Sequence, residues 1–149
     1  MEKGVLCSNV CLDYKCDILG KAFKYSGEDG YDSFNFIRSF MTSPKSDRLF
    51  ITDDCQTWSD SAFLYSEIKH TLGKKALFKN NHTLDEFELW FMGYLYKYWY
   101  NNSKLSRYEI YEILPVERFH ESFGYYHTIG WEAVIKEATD LYKSGNYII

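Results

Sequence analysis

The amino-acid sequence predicts an all-α protein, a single compact domain of about five or six helices around a buried aromatic helix at residues 83–101. Apolar residues recur at helical spacing along most of the chain, and no stretch beyond residue 15 alternates as a half-buried strand would. A chain of 149 residues is long enough for one domain with a substantial core.

The predicted central helix begins with the sequence TLDEFELWFMGYLYKYWY at residues 83–100. Thr83 and Glu86 have the capping-box spacing, in which a hydroxyl and a carboxylate accept hydrogen bonds from free amides at a helix start. Apolar side chains occupy nearly every side of this helix, which is typical of a buried one. Gly93 costs about 1 kcal/mol relative to alanine at mid-helix. Either a close helix crossing or simple tolerance would explain it.

The N-terminal part of the chain is assigned to a cysteine-bearing extension at residues 1–30, followed by the helical domain at residues 31–149. The apolar residues of the extension fit either a loose helix or a small hairpin. The composition of residues 26–30 favours a loop at the junction.

The first helix of the domain is expected to start at Asp32 or Ser33, whose side chains suit the N-cap position. Pro44 ends it, because the residue before a proline is pushed out of helical geometry. Residues 45–59 are polar and acidic, and they should form a loop with at most a short turn.

Cap and end signals mark a helix on each side of the central one. Ser59 or Asp60 starts the preceding helix, and Gly73 is its end signal. Ser106 and Glu109 repeat the capping-box pattern after the central helix.

Two more helices complete the prediction. Pro115 should open the first of them at its first position, and that helix should run to Gly124. Thr128 is expected to cap the last helix, which Gly145 ends.

Composition narrows the class of function. Aromatic residues make up 19% of the chain and include 14 tyrosines, which suits an aromatic core, a protein interface or a pocket that stacks on a nucleobase. The net charge is −4 and basic residues form no long cluster, so duplex nucleic acid is not expected as a partner. The N-terminus lacks a secretory signal, and no apolar run is long enough for a membrane span, so a cytoplasmic location is expected.

The four cysteines are the first candidate metal ligands. Cys7, Cys11 and Cys16 are clustered and Cys55 is distant. Their spacing is looser than the CxxC pairs of structural zinc sites. Buried reduced thiols are the preferred interpretation, with zinc as the alternative.

Two Glu-x-x-His pairs raise the alternative of a di-metal centre in a helical bundle. The pairs are Glu67 with His70 and Glu117 with His120, and Glu86 or Glu88 would add a carboxylate. In each helix, however, the apolar stripe lies beside the pair and not on it. Solvated side chains are therefore the preferred interpretation, and no cofactor is predicted.

The candidate ligand-binding or partner-binding residues are Tyr94, Lys97, Tyr98, Tyr126 and His127. Lys97 lies among tyrosines and is expected to reach solvent or to pair with a carboxylate. Holding an anionic ligand against an aromatic wall is the alternative. His127 could order a loop or act as an acid or base, but no catalytic motif accompanies it, and no catalytic residue is assigned.

Several segments resemble a group of small uncharacterised bacterial proteins with a GYxYRYW helix, an IYK-type segment and a final YxxHT or FHT turn. The matching segments are GYLYKYW at residues 93–99, IY at 110–111, YYHT at 125–128 and an opening DSFNFIRSFM at 32–41. The resemblance covers about residues 31–143, and Lys97 stands where the pattern has arginine. Genes of that group often lie beside toxin-like or ADP-ribosyltransferase-like genes, so the resemblance implies an antitoxin or immunity role.

Three functional hypotheses follow. The first is a non-enzymatic inhibitor, antitoxin or immunity-like factor, which could be phage-borne, that sequesters a partner protein through exposed aromatic side chains. The second is a small-ligand or nucleotide-binding protein with an aromatic pocket. The third is an enzyme that uses His127.

Overall fold

Eight α-helices and two short 3-10 turns form the part of the chain that the computed structural model describes, which is residues 12–52, 57–80 and 82–145. The helices are α1 Leu12–Glu28, α2 Ser33–Thr42, α3 Asp47–Ile51, α4 Ser61–Leu72, α5 Glu86–Asn101, α6 Arg107–Ile113, α7 Val116–Tyr126 and α8 Trp131–Ser144. The all-α prediction is confirmed, although the helices in these ranges outnumber the five or six expected. None of them is both long and apolar enough to cross a membrane.

The centre of the fold is the crossing of α1 and α5, where two glycines meet. A Cβ atom on Gly93 would lie 2.7 Å from the Gly20 Cα and 2.7 Å from the Leu19 carbonyl oxygen. A Cβ atom on Gly20 would lie 2.6 Å from the Trp90 carbonyl oxygen. The two backbones are therefore in direct contact, and of the two explanations left open for Gly93, the structure shows the close crossing.

The hydrophobic core surrounds this crossing. Leu19 and Phe23 of α1 are fully buried in the same cluster as Leu95 and Tyr96 of α5 and Phe119 of α7. Residues 12–28, which the sequence placed in an N-terminal extension, therefore form a helix that contributes to the core. The loop expected at residues 26–30 begins later than predicted, because α1 continues to Glu28.

Several predicted helix ends are confirmed. The Asp32 carboxylate accepts a hydrogen bond from the Asn35 amide at 2.7 Å and caps α2. Ser106 and Glu109 form the predicted reciprocal capping box of α6. Gly73 and Gly145 follow the ends of α4 and α8 with φ angles of +80° and +78°, a conformation that glycine adopts without strain.

The start of α5 and the segment after α2 differ from the prediction. Asp85, not Thr83, caps α5 by accepting a hydrogen bond from the Phe87 amide at 3.0 Å. Residues 45–59 contain α3, which is longer than the short turn expected. Leu49 and Phe50 are buried in the core, so tertiary burial stabilises helical structure that the polar composition did not indicate.

The corner between α7 and α8 also differs. α7 continues through Gly124 and ends at Tyr126, whose side chain is only 1% exposed. The Thr128 hydroxyl donates to the Tyr125 carbonyl oxygen at the end of α7, and the N-cap of α8 is Gly130. The predicted cap at Thr128 is wrong, because its side chain serves the preceding helix.

Gly93→Ala should destabilise the protein, and Gly124→Ala should not. The new methyl group at residue 93 meets backbone atoms that cannot rotate away, so the free energy of unfolding should fall by about 1–3 kcal/mol. Gly124 is also helical, but a Cβ atom added to it would have no neighbour within 4 Å, so alanine there should add about 0.5–1 kcal/mol. Urea unfolding followed by circular dichroism measures both. Equal effects at the two sites would contradict the backbone contact.

Tyr65 should make stability fall steeply in alkaline solution. Burial, and secondly a hydrogen bond of 2.5 Å to the Asp29 carboxylate, raise the pKa of its hydroxyl above the ordinary value. This stabilisation is complete below pH ~10, the pKa of a tyrosine in the unfolded chain. Above that pH, the free energy of unfolding falls by about 1.4 kcal/mol per pH unit until the pH reaches the raised pKa of the folded state. Tyr65→Phe should have a shallower decline of unfolding free energy above pH ~10. An unchanged slope would contradict the assignment.

Candidate functional site

The structure separates the five predicted site residues into three places. Tyr94 and Tyr98 lie on one side of α5, beside Trp131 of α8. His127, at the end of α7, is exposed and borders the same surface. Lys97 and Tyr126 lie elsewhere, and both are buried.

An exposed surface of packed rings crosses α5, the end of α7 and the start of α8, and we call it the aromatic face. Its members are Phe87, Trp90, Tyr94, Tyr98, Phe123, His127 and Trp131. Phe87 is 49% exposed, His127 is exposed and the other five are half-buried. The residues taken from α5 recur at three- and four-residue intervals, so they share one side of the helix.

Ring packing holds the aromatic face together. Trp131 stacks on Tyr94 with centroids 4.4 Å apart and planes inclined by 13°, and Trp90 lies against Tyr94 at 5.1 Å. At the other end, Phe87 packs edge-on against Phe123 at 5.7 Å. Such pairs contribute about 0.5–1.5 kcal/mol each beyond their buried area. The surface is therefore preformed by its own contacts.

Hydrogen bonds orient three of the rings. The Trp90 indole donates from Nε1 to Asp17 Oδ1 of α1 at 2.8 Å. The Tyr98 hydroxyl donates to Glu132 Oε2 of α8 at 2.9 Å. His127 donates from Nδ1 to the Phe123 carbonyl oxygen at 2.9 Å and stacks on the Phe123 ring. The histidine therefore stabilises the end of α7.

Lys97 is part of the core, so the expectation that it reaches solvent is wrong. Its side chain is 3% exposed, and Nζ donates to the Phe50 carbonyl oxygen at 2.7 Å. The ammonium lies 4.4 Å from the ring centroid of Trp58, 5.0 Å from that of Phe50 and 5.2 Å from that of Tyr100. The lysine therefore joins α5 to α3 and lies inside the fold, away from the aromatic face.

Tyr126 is a core residue of α7. It is 1% exposed, and its ring packs edge-on against Phe119 at 6.2 Å. Burial raises the pKa of its hydroxyl. A partner or ligand at the protein surface would not contact this side chain without rearrangement.

Of the four candidate cysteine ligands, Cys16 alone lies in the ranges that the structure describes. Cys16 is fully buried, and Cys7, Cys11 and Cys55 lie outside the described residues. Across residues 12–52, 57–80 and 82–145, no group of three or more histidine, cysteine, aspartate or glutamate side chains is placed to hold a metal ion.

In the second Glu-x-x-His pair, the two side chains bind different partners. His120 Nδ1 lies 2.5 Å from Oε2 of Glu88, which is buried in α5, whereas Glu117 pairs with Arg38 of α2. The two members of that pair therefore contact different helices. The link from Glu88 to His120 joins α5 to α7 below the aromatic face.

Four members of the aromatic face were not among the predicted site residues, namely Phe87, Trp90, Phe123 and Trp131. The sequence carried a signal for the first two, since they share the helical spacing of Tyr94 and Tyr98. No sequence signal placed Trp131 beside Tyr94, because α5 and α8 are brought together by the tertiary fold.

Comparisons with protein-family models, curated proteins and solved structures found no match to this chain. The resemblance to small bacterial proteins therefore stays a prediction.

Lys97→Met should destabilise the fold. The Phe50 carbonyl oxygen loses its charged hydrogen-bond donor, which should lower the free energy of unfolding by about 1–3 kcal/mol. The near-ultraviolet circular dichroism should also change, because the ammonium packs on the Trp58 ring at 4.4 Å. Chemical unfolding measures the first effect, and an unchanged free energy of unfolding would contradict the structural role of Lys97.

Proposed function

We propose that this protein is a non-enzymatic binding protein that sequesters a partner protein through its aromatic face, as an antitoxin, immunity factor or phage-borne inhibitor would. The observation that carries the proposal is the set of seven adjoining rings at the surface, with Phe87 half exposed. Tryptophan and tyrosine are enriched among the residues that dominate binding energy in protein interfaces. The resemblance noted in the sequence supports the antitoxin or immunity form.

The physical state of the rings favours protein binding. Their orientations are set by stacking and by hydrogen bonds to Asp17 and Glu132. A partner would therefore lose little side-chain entropy on contact, which reduces the cost of association. A contiguous exposed apolar surface is also more typical of an interaction site than apolar side chains that are scattered singly.

The alternative of a nucleotide pocket has less support. Tyr94 and Trp131 already stack on each other at 4.4 Å, so these two rings leave no gap for a base between them. Lys97, the expected cation of that pocket, contacts Phe50, Trp58 and Tyr100 in the core. An enzymatic role for His127 is favoured by no observation, since its Nδ1 proton is used within α7.

Phe87→Ala should abolish capture of the partner, and Phe78→Ala should not. Both side chains are large and exposed, at 49% and 46%. Because Phe87→Ala also removes the ring contact with Phe123, the free energy of unfolding of both variants is measured, and capture is compared at a temperature where both are folded. Loss of a hot-spot aromatic costs about 2 kcal/mol or more, which is a roughly thirtyfold loss of affinity. Affinity purification from the native host, with quantitative and native mass spectrometry, measures the recovery and mass of the complex.

The control variant Phe78→Ala identifies which captured proteins bind through the aromatic face. A protein recovered with the wild type and with Phe78→Ala, and lost with Phe87→Ala, supports the proposal. If every captured protein is recovered equally with both variants, or if none forms a complex of defined mass with the wild type, the proposal is wrong. Restored growth on co-expression with a toxic partner would establish the antitoxin form.

A further inference from the structure

A cleft lies at one end of the aromatic face, where the last turns of α5 meet the first turn of α8. It has a volume of about 380 Å³ and is lined by Tyr98, Ile129, Gly130, Trp131, Glu132 and Ala133. Gly130 contributes no side chain and has a φ angle of +89°. The chain therefore turns sharply into α8 there and leaves the aromatic rings and one carboxylate as the main features of the cleft.

The carboxylate of Glu132 is held in position by the aromatic face itself. Its Oε2 accepts the hydrogen bond from the Tyr98 hydroxyl at 2.9 Å, which leaves Oε1 outside that bond. The ring centroids of Tyr98 and Trp131 are 6.3 Å apart with planes inclined by 33°. These two rings therefore do not stack on each other, whereas Tyr94 and Trp131 do. An oriented carboxylate therefore borders two aromatic surfaces.

The charges around the cleft are not balanced. Two carboxylates accept hydrogen bonds from rings of the aromatic face, and the first, Asp17, is neutralised by Lys21 at 3.1 Å. Glu132 forms no ion pair with any cation of the described ranges. Lys136, one turn further along α8, pairs with Asp140 at 2.9 Å instead.

Two electrostatic contributions act on a ligand in this cleft, one from the start of α8 and one from Glu132. The free amides at the start of α8 carry a partial positive charge that would favour an anion. Glu132 carries a full negative charge in that same first turn and offsets it. A cation beside Glu132 gains both the charge attraction and the attraction of aromatic faces within about 6 Å.

We infer that the cleft receives an arginine or lysine side chain of the partner protein, with the cation at Glu132 and its apolar stem against Tyr98 and Trp131. This inference deepens the proposed function and rests on it. Arginine suits the site better than lysine, because its planar group stacks on aromatic rings and also pairs with a carboxylate.

A random peptide library displayed on phage tests the inference even while the partner is unidentified. The library is selected in parallel on the full-length wild type, Glu132→Gln and the control Glu121→Gln. Both substitutions remove one carboxylate of an exposed residue, but Glu121 lies on α7 outside the cleft. The wild type and the control should enrich peptides that contain arginine or lysine, and Glu132→Gln should not.

A synthetic copy of an enriched peptide, and its arginine-to-glutamine form, then give the affinities. The substitution in the peptide should weaken binding to the wild type and to Glu121→Gln by about tenfold. The same peptide substitution should change the affinity for Glu132→Gln less than about twofold, because that variant lacks the carboxylate that the arginine would contact. Binding to the wild type should also weaken as salt is raised.

Four outcomes overturn the inference: no enriched peptide, enrichment without excess of basic residues, enrichment of acidic peptides, or an equal arginine effect in Glu132→Gln. Binding to the enriched peptides is also measured with Phe87→Ala. If that variant abolishes binding and the arginine effect is absent, the aromatic face stands as a binding site and only the cationic contact is wrong.

Discussion

The contact of Gly20 with Gly93 is the constraint on which the rest of the structure depends. It brings the backbones of α1 and α5 closer than any side chain at these positions would allow. The same crossing sets the position of Trp90, whose carbonyl oxygen faces Gly20 and whose indole reaches Asp17 of α1. One side of α5 is thus occupied by α1, and the side that carries Phe87, Tyr94 and Tyr98 faces the corner of α7 and α8.

Two buried cations stabilise the irregular segment between α2 and α4. Lys97 of α5 donates to the Phe50 carbonyl oxygen, and Arg107 of α6 donates to the carbonyl oxygens of Phe40 and Ser43. Arg107 also pairs with the Asp47 carboxylate. These carbonyl groups lie at the end of α2 and within α3, in a buried environment. A buried carbonyl group without a hydrogen-bond donor costs free energy, so the two cations stabilise this segment. These contacts explain why a polar segment carries Leu49 and Phe50 into the core.

The last helix completes the aromatic face and also holds it against the rest of the fold. Trp131 supplies the ring that stacks on Tyr94, while Val134 and Ala138 are buried. Tyrosine-to-carboxylate hydrogen bonds join α8 to its neighbours, from Tyr98 to Glu132 and from Tyr142 to Glu112. In the second of these, the hydrogen bond to Glu112 raises the pKa of Tyr142. The excess of tyrosine therefore serves both the surface and the links between helices.

By itself, the sequence determined the fold class, the central helix and most of its neighbours' ends, because helical spacing and capping are local properties. The Asp32 cap, the Ser106–Glu109 box and the glycine ends at residues 73 and 145 needed no tertiary information. Tertiary structure alone decided the burial of Lys97, the formation of α3 and the pairing of Tyr94 with Trp131. Each of these depends on which distant segment packs against which, and a local pattern carries no record of that packing.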